Sequence, residues 1–342
     1  MNILIYIIGT RQHGMGHVQR QLVLAGELAK RGHKVDFLTF SDTPGLKRIG
    51  DWIGFGGIDT SKRDMELMAV PNAGVLAQYI TKHQCDITII DIEHGPSRLL
   101  LEHAKCNNRK VIVIDGVGFV TKDQQAIDDL VDLQVYQSVA LNTDSKPLSK
   151  HLIGLEYVII DQSYTDYRNG KLPFIDNTGT LISMGGADPH GMSVEIADII
   201  NSDPRNQPVK VVLGPAAYGP AACSYKLDGF NIYTGHSTLA PLMASSTTLI
   251  TALGMTVYEA LCVGIPVACT AWSEDHESTA LKLEAMGAIC YLGQWHKIDW
   301  GKLTTFLNTM NHEHNRQAMG NIGMRLVDGL GVKRVADAIE AL

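Results

Sequence analysis

Residues 13–20 read HGMGHVQR: two glycines bracket a methionine, a histidine follows at once, and an arginine stands three residues later. Glycines let a backbone turn tightly, amides at a helix start favour an anion, and an imidazole beside them is placed to accept a proton. His17 is thus the candidate general base, with Gly14, Gly16 and Arg20 around it. Further on, SMGGADPHG puts Gly185 and Gly186 ahead of Asp188, and TALGMTVYEAL puts Gly254, Met255 and Thr256 ahead of Glu259. The second stretch offers backbone amides to a diphosphate and a carboxylate to ribose hydroxyls. The same spacing from Thr256 to Glu259 also fits a capping box that only closes a helix start. Asp91, Glu93 and His94 follow one apolar run, Asp115 another, and Glu274, Asp275 and His276 a third. The last group suits a sugar's hydroxyls, or is simply a solvated acidic helix start.

Other chemistries fit less well. A dinucleotide fingerprint needs a third glycine where Gln19 stands, and no Gly-Lys-Ser/Thr follows either glycine pair. His13 with His17, Asp275 with His276, and His312 with His314 pair plausible metal ligands, yet none has an established metal spacing. The expectation is an enzyme with no metal and no bound cofactor.

The elements that must position these residues are legible as a pattern. Strand-like runs ILIYII, KVDFLTF, DITIID and KVIVID mark the first half. GTLISMGG, VKVVLG, FNIYTG, TTLITALG, IPVACTAW and AICYLG mark the second. They are continuously apolar rather than alternating, as parallel strands covered on both faces are. Between the first two, Val18, Leu22, Ala25 and Ala29 recur on one helical face that Gly32 closes. The spacing predicts an α/β chain of two doubly wound domains over 1–165 and 178–325, with a cleft between them and a last helix within 326–342. YRNGKLPFIDNTG reads as the connector. In such sheets ligands bind beyond the carboxyl ends of the strands, where every residue named above falls.

Composition sets bounds. The 342 residues carry a formal net charge of −7, with 45% hydrophobic and 19% charged side chains. That acidic balance, with no Lys/Arg stripe, gives a nucleic-acid acceptor no support. Six cysteines without a CxxC spacing read as reduced, buried thiols. MNILIYIIG lacks a basic n-region and is too short to span a bilayer, so a cytoplasmic protein is expected.

Taken together, GMGHVQRQLVLAGEL…RGHKVDFLT, LISMGGADP, ALGMTVYEALCVGIPV and DGLGVKRVADAI resemble one family, in the same order. It comprises the UDP-sugar hydrolase of pseudaminic acid biosynthesis and the related spore-coat glycosyltransferase-like proteins. A more distant similarity runs to the lipid-linked GlcNAc transferases of cell-wall synthesis. The resemblance implies the GT-B architecture, two Rossmann-like domains facing a cleft that holds a nucleotide-sugar. It implies that His17 activates a nucleophile and that Gly185, Gly186, Gly254, Met255, Thr256 and Glu259 contact the nucleotide. Two positions depart from the hydrolases. Asp91-Ile92-Glu93 stands where they carry Asp-x-Tyr, and Asp275-His276 stands where they carry Asn-Gln. Both line the family's sugar pocket, so Gly14, Gly16, Arg20, Asp91, Glu93, Asp275 and His276 are the expected substrate contacts, for a different sugar. With Arg11 and Gln12 nearby, these changes favour transfer: a glycosyltransferase with a UDP-linked donor, in which His17 deprotonates an acceptor hydroxyl. The alternative is a nucleotide-sugar hydrolase in which His17 activates water. A non-catalytic nucleotide-sugar binder would leave His17 without a task.

Overall fold

The computed structural model describes residues 1–9, 16–41, 73–92, 95–106, 109–115, 129–139, 151–171, 177–186, 188, 190–201, 203, 208–214, 230–234 and 238–342. The chain forms two compact units.

The first unit comprises Met1–Ile159 together with Leu330–Leu342. Its strands are β1 (Asn2–Gly9), β2 (Lys34–Ser41), β3 (Ile87–Asp91), β4 (Lys110–Asp115), β5 (Leu133–Tyr136) and β6 (His151–Ile153). They pair in parallel in the order β2-β1-β3-β4-β5-β6. β3 is buried at every position, which is why its run ITIID shows no alternation. Helix α1 (Gly16–Lys30) follows β1, while α2 (Ala73–His83) and α3 (Arg98–Ala104) pack with Tyr6, Ile90 and Val113. The buried stripe of α1 is wider than the periodicity predicts. It takes in Leu24 and Leu28, and also Arg20 and Gln21, whereas Ala29 is only half-buried.

The C-terminal helix, α11 (Gly331–Glu340), belongs to this unit. Arg31 at the end of α1 donates to Asp337 at 2.6 Å and to Glu340 at 2.7 Å, and His33 Nε2 meets Glu340 at 2.7 Å. A side chain on Gly331 would lie 2.2 Å from the Val158 carbonyl oxygen, so the helix start rests directly on backbone.

The second unit, Ile160–Gly329, holds β7 (Thr180–Ser183), β8 (Val209–Leu213), β9 (Asn231–Thr234), β10 (Thr248–Ala252), β11 (Val267–Ala271) and β12 (Cys290–Gln294). These are also parallel, in the order β12-β11-β10-β7-β8-β9. Its helices are α4 (Gln162–Arg168), α5 (Met192–Asn201), α6 (Ala240–Ala244), α7 (Met255–Val263), α8 (Glu274–Ala285), α9 (Trp300–Met310) and α10 (Glu313–Leu326). Met184, Val211, Ala268, Leu292 and Phe306 share its core. The connector region read from sequence begins inside α4, which already packs within this unit.

In each sheet the direction of winding reverses once, between β1 and β3 and between β7 and β10. Such a reversal splays the two following loops apart and leaves a crevice at the carboxyl end. The described cysteines Cys85, Cys106, Cys262, Cys269 and Cys290 are free, and burial pushes the Cys85 thiol up to about 11 and that of Cys262 up to about 12. Among the described residues no helix is long and apolar enough to cross a membrane.

Helix α7 is fixed at its far end. Gly264 closes it with φ +88°, and a side chain on Gly320 of α10 would lie 2.2 Å from the Gly264 carbonyl oxygen. Alanine is otherwise the better helix former by about 1 kcal/mol. Here overpacking against backbone outweighs that gain, so Gly320→Ala is expected to cost about 1–3 kcal/mol in urea unfolding. A stabilised variant would mean that the two helices do not meet backbone to backbone.

Candidate functional site

In the first unit the residues that gather at the sheet reversal are His17, Arg20 and Gln21 from the first turns of α1, and Asp91 from the last position of β3. His17 Nδ1 lies 2.5 Å from Asp91 Oδ1. Arg20 grips the same carboxylate with two donors, Nε to Oδ2 at 2.6 Å and Nη2 to Oδ1. Gln21 Nε2 donates to Oδ2 at 2.7 Å. Asp91 is 0% exposed and Arg20 4%. Burial alone would push the Asp91 carboxyl up. The charges of Arg20 and His17 and their hydrogen bonds outweigh it and hold that carboxyl well below the usual carboxylate range.

An ionised carboxylate only accepts, so the hydrogen between His17 and Asp91 belongs to Nδ1. In the neutral ring that places the lone pair on Nε2, which has no hydrogen-bond partner among the described residues, while the His17 side chain is 16% exposed. A ring fixed in this tautomer, with its second nitrogen unengaged, is the arrangement a general base requires.

Asp91 and Arg20, expected to touch substrate, are both buried, and both are hydrogen-bonded to His17 and to each other. Gly16 is the first residue of α1 and is half-buried. Gly14 and Glu93 lie outside the described residues, as do Arg11, Gln12, His13 and His94. Gln21 was missed by sequence reasoning. Its one signal was a polar side chain between Arg20 and Leu22 on the inward side of an otherwise apolar stripe.

In the second unit the reversal joins two glycine loops. Thr251 Oγ1 donates to the Ser183 carbonyl at 2.6 Å, tying β10 to β7 just before both loops begin. Gly185 follows β7 with φ +85°, a conformation that favours glycine. The loop it shares with Gly186 presses on Gly214 after β8, where a side chain would lie 2.3 Å from the Gly185 oxygen. Asp188 accepts from the amides of Met192 at 2.9 Å and Ser193 at 3.0 Å, so its carboxylate caps the start of α5.

Gly254 is the N-cap of α7, and Met255 and Thr256 are its first two helical residues. Thr256 therefore cannot serve as the N-cap of a capping box with Glu259. The leading amides of a helix have no partner four residues back and point outward along its axis. Among the described residues nothing requires glycine at 254: its φ of 169° is ordinary extended backbone, and a Cβ there would meet no atom within 4 Å.

Glu259 is buried one turn further along, beside Tyr164 of α4. Burial, then the Glu259 carboxylate, push the Tyr164 phenol well above its usual range, and its oxygen accepts from the Leu239 amide at 3.1 Å. At α8, Ser273 caps the helix, Asp275 is exposed and His276 half-buried. Glu277 turns inward to Tyr291 and Gln294 at 2.8 and 2.7 Å. The acidic helix start thus divides into a solvated part and a structural part.

No family model matches the chain. It is 28% identical over 282 residues to an uncharacterized protein of Methanocaldococcus jannaschii, covering 78% of this chain and 55% of that protein, about half its length. It is 22% identical over 350 residues to the spore coat polysaccharide biosynthesis protein SpsG of Bacillus subtilis, covering 100% of this chain and 98% of that one. Among solved structures, MurG of Acinetobacter baumannii matches with a TM-score of 0.66 at 14% identity over 100% of both chains. The UDP-GlcNAc 2-epimerase of Neisseria meningitidis bound to UDP-GlcNAc matches at 0.63 and 14%, again over 100% of both chains. The spinosyn rhamnosyltransferase SpnG complexed with thymidine diphosphate matches at 0.63 and 14%, over 99% of this chain and 100% of its own. The fold is GT-B, built from two Rossmann-like units.

The buried carboxylate generates a stability prediction. A carboxyl held below its unfolded value contributes stability above that value, about 3.9, and loses it as pH falls further. Asp91→Asn removes the buried carboxylate that Arg20 grips with two donors and is expected to cost about 3–5 kcal/mol at pH 7. The difference from the parent protein should shrink as urea unfolding is repeated from pH 4 towards pH 2. A difference that stays constant over that range would rule out an ionised Asp91.

Proposed function

We propose that the protein is a glycosyltransferase that takes a nucleotide-sugar donor, UDP-linked, and that His17 is its general base. The observation that carries the reading is the His17–Asp91 pair: a ring held by a buried carboxylate, its second nitrogen unengaged among the described residues. In the reaction, Nε2 of His17 accepts the proton of an acceptor hydroxyl as that oxygen bonds to the anomeric carbon. The bond from that carbon to the diphosphate oxygen breaks, and the nucleoside diphosphate leaves with the electron pair.

On this reading the second unit holds the donor. The amides of Met255 and Thr256 and the positive end of the α7 dipole face the diphosphate, which needs no metal to leave if its charge is met there. Glu259 receives the ribose hydroxyls, and the Gly185–Gly186 loop gives the phosphates a close backbone approach. Gly14, Gly16 and Glu93, with Asp275 and His276, remain the proposed sugar and acceptor contacts. The similarity to SpsG, a spore coat polysaccharide biosynthesis protein, and to structures that hold UDP-GlcNAc and thymidine diphosphate supports the substrate class.

Two measurements test this. With a panel of UDP-, GDP-, CDP- and TDP-sugars, His17→Ala should cut turnover by about 10²–10⁴-fold and leave nucleotide affinity unchanged. Undiminished turnover would remove His17 from the chemistry. Release of equimolar free sugar at full turnover, without an acceptor, would make water the nucleophile and the enzyme a hydrolase. Gly254→Ala should leave the unfolding midpoint unchanged and weaken nucleotide binding at least tenfold, because only a ligand occupies the space its methyl would enter. Unchanged affinity would take the diphosphate away from this helix.

A further inference from the structure

We propose that Arg20 is the counter-charge of the His17–Asp91 pair, the positioning residue that keeps the imidazole unprotonated and ready to accept. The inference rests on His17 being the base, as proposed above, and extends that reading to what sets its working pH.

The geometry is a three-way junction. Asp91 Oδ1 receives both His17 Nδ1 at 2.5 Å and Arg20 Nη2, and those two nitrogens are 3.0 Å apart. Two donors thus converge on one oxygen, and the guanidinium stands as close to the imidazole as a hydrogen bond would bring it. Among the described residues, the charged groups recorded against His17 are Asp91 from β3 and Arg20 from its own helix; Gln21 adds a neutral donor to Asp91 Oδ2.

A lone buried carboxylate beside an imidazole would bind a proton into the pair strongly, since the pair carries one uncompensated negative charge. Where that proton settles makes no difference. On the imidazole it occupies Nε2, and the base is lost. On Asp91 it turns the hydrogen bond round, so that Nδ1 accepts and Nε2 carries the hydrogen; the base is lost again. Arg20 removes this trap. Its positive charge cancels that of Asp91, and its contact with Nδ1 opposes an imidazolium directly. Its fork takes both carboxylate oxygens and leaves Asp91 no capacity to donate.

The test is a pair of variants read by pH. In Arg20→Gln the charge is gone. The acid limb of the turnover profile should move up by about one pH unit or more, the shift an uncompensated charge at this distance produces. In Arg20→Lys the charge remains and the limb should stay where the parent protein has it, even if turnover falls. The same titration is followed without substrate on ¹³C-labelled histidine, using the Cε1–H signal that disappears in His17→Gln. The ring titration therefore stays readable even if no nucleotide-sugar proves to be a substrate, which separates failure of this inference from failure of the proposed function. A folded Arg20→Gln protein whose His17 titrates as in the parent overturns the proposal and reduces Arg20 to packing. Should the glutamine variant not fold, Arg20→Lys decides. A titration unmoved by the change supports the counter-charge, and one displaced upward shows that charge alone is not what Arg20 supplies.

Discussion

A carboxylate taken wholly out of water must be answered by donors, and the first unit is arranged around that requirement. Asp91 ends a central strand with no exposure at all, and three side chains from one and a half turns of the neighbouring helix converge on it. The helix can supply them because β1 and β3 are adjacent while α1 follows β1 directly, so its first turns lie at the end of β3. Arg20 and Gln21 would be costly residues in an apolar stripe anywhere else. Here their hydrogen bonds to the buried carboxylate offset that cost, although Gln21 Oε1 is left without a partner among the described residues. One charge thus fixes the rotamer of His17, the setting of α1 and the polar content of its inner face.

The second unit meets a comparable demand with backbone instead of side chains. Gly185, Gly186 and Gly214 let two loops touch main chain to main chain, and Thr251 binds the strands beneath them. Helix α7 offers amides at one end and is seated on α10 at the other, where Gly320 and Gly323 bring the two backbones together. Main-chain amides carry no titrating charge, whereas the junction in the first unit is made of ionisable side chains.

Much of this was legible in the amino-acid order. Continuous apolar runs located the strands, because a parallel sheet buried on both faces leaves no polar alternation to confuse the pattern. The residues immediately after those runs marked the carboxyl edges. What the order did not carry is which side of a surface each residue takes. Asp91 read as a pocket residue because a strand end is as compatible with solvent as with burial, and only the partner strand decides. Gln21 drew no reading at all, because a polar residue on a helix carries no mark of the carboxylate it meets. Thr256 and Glu259 have the spacing of a capping box, yet the N-cap is Gly254, two residues earlier than that motif requires. Spacing is blind to such a shift. Asp188, which follows the glycine pair, accepts two backbone amides and so caps a helix, a role that its spacing did not show.

The return of residues 330–342 to the first unit has a consequence for how the molecule is made. Ribosomes deliver a chain from its amino end, and domains commonly fold in that order. Here the order is inverted. The second unit is a single uninterrupted stretch, Ile160–Gly329, and all of it is available before the first unit receives α11. Until then Arg31 and His33 lack Asp337 and Glu340, and the far end of the helix that presents His17 is unsecured. Of the two units, the one begun first is the one completed last, so a nascent chain halted just before residue 330 holds a complete second unit and an incomplete first one.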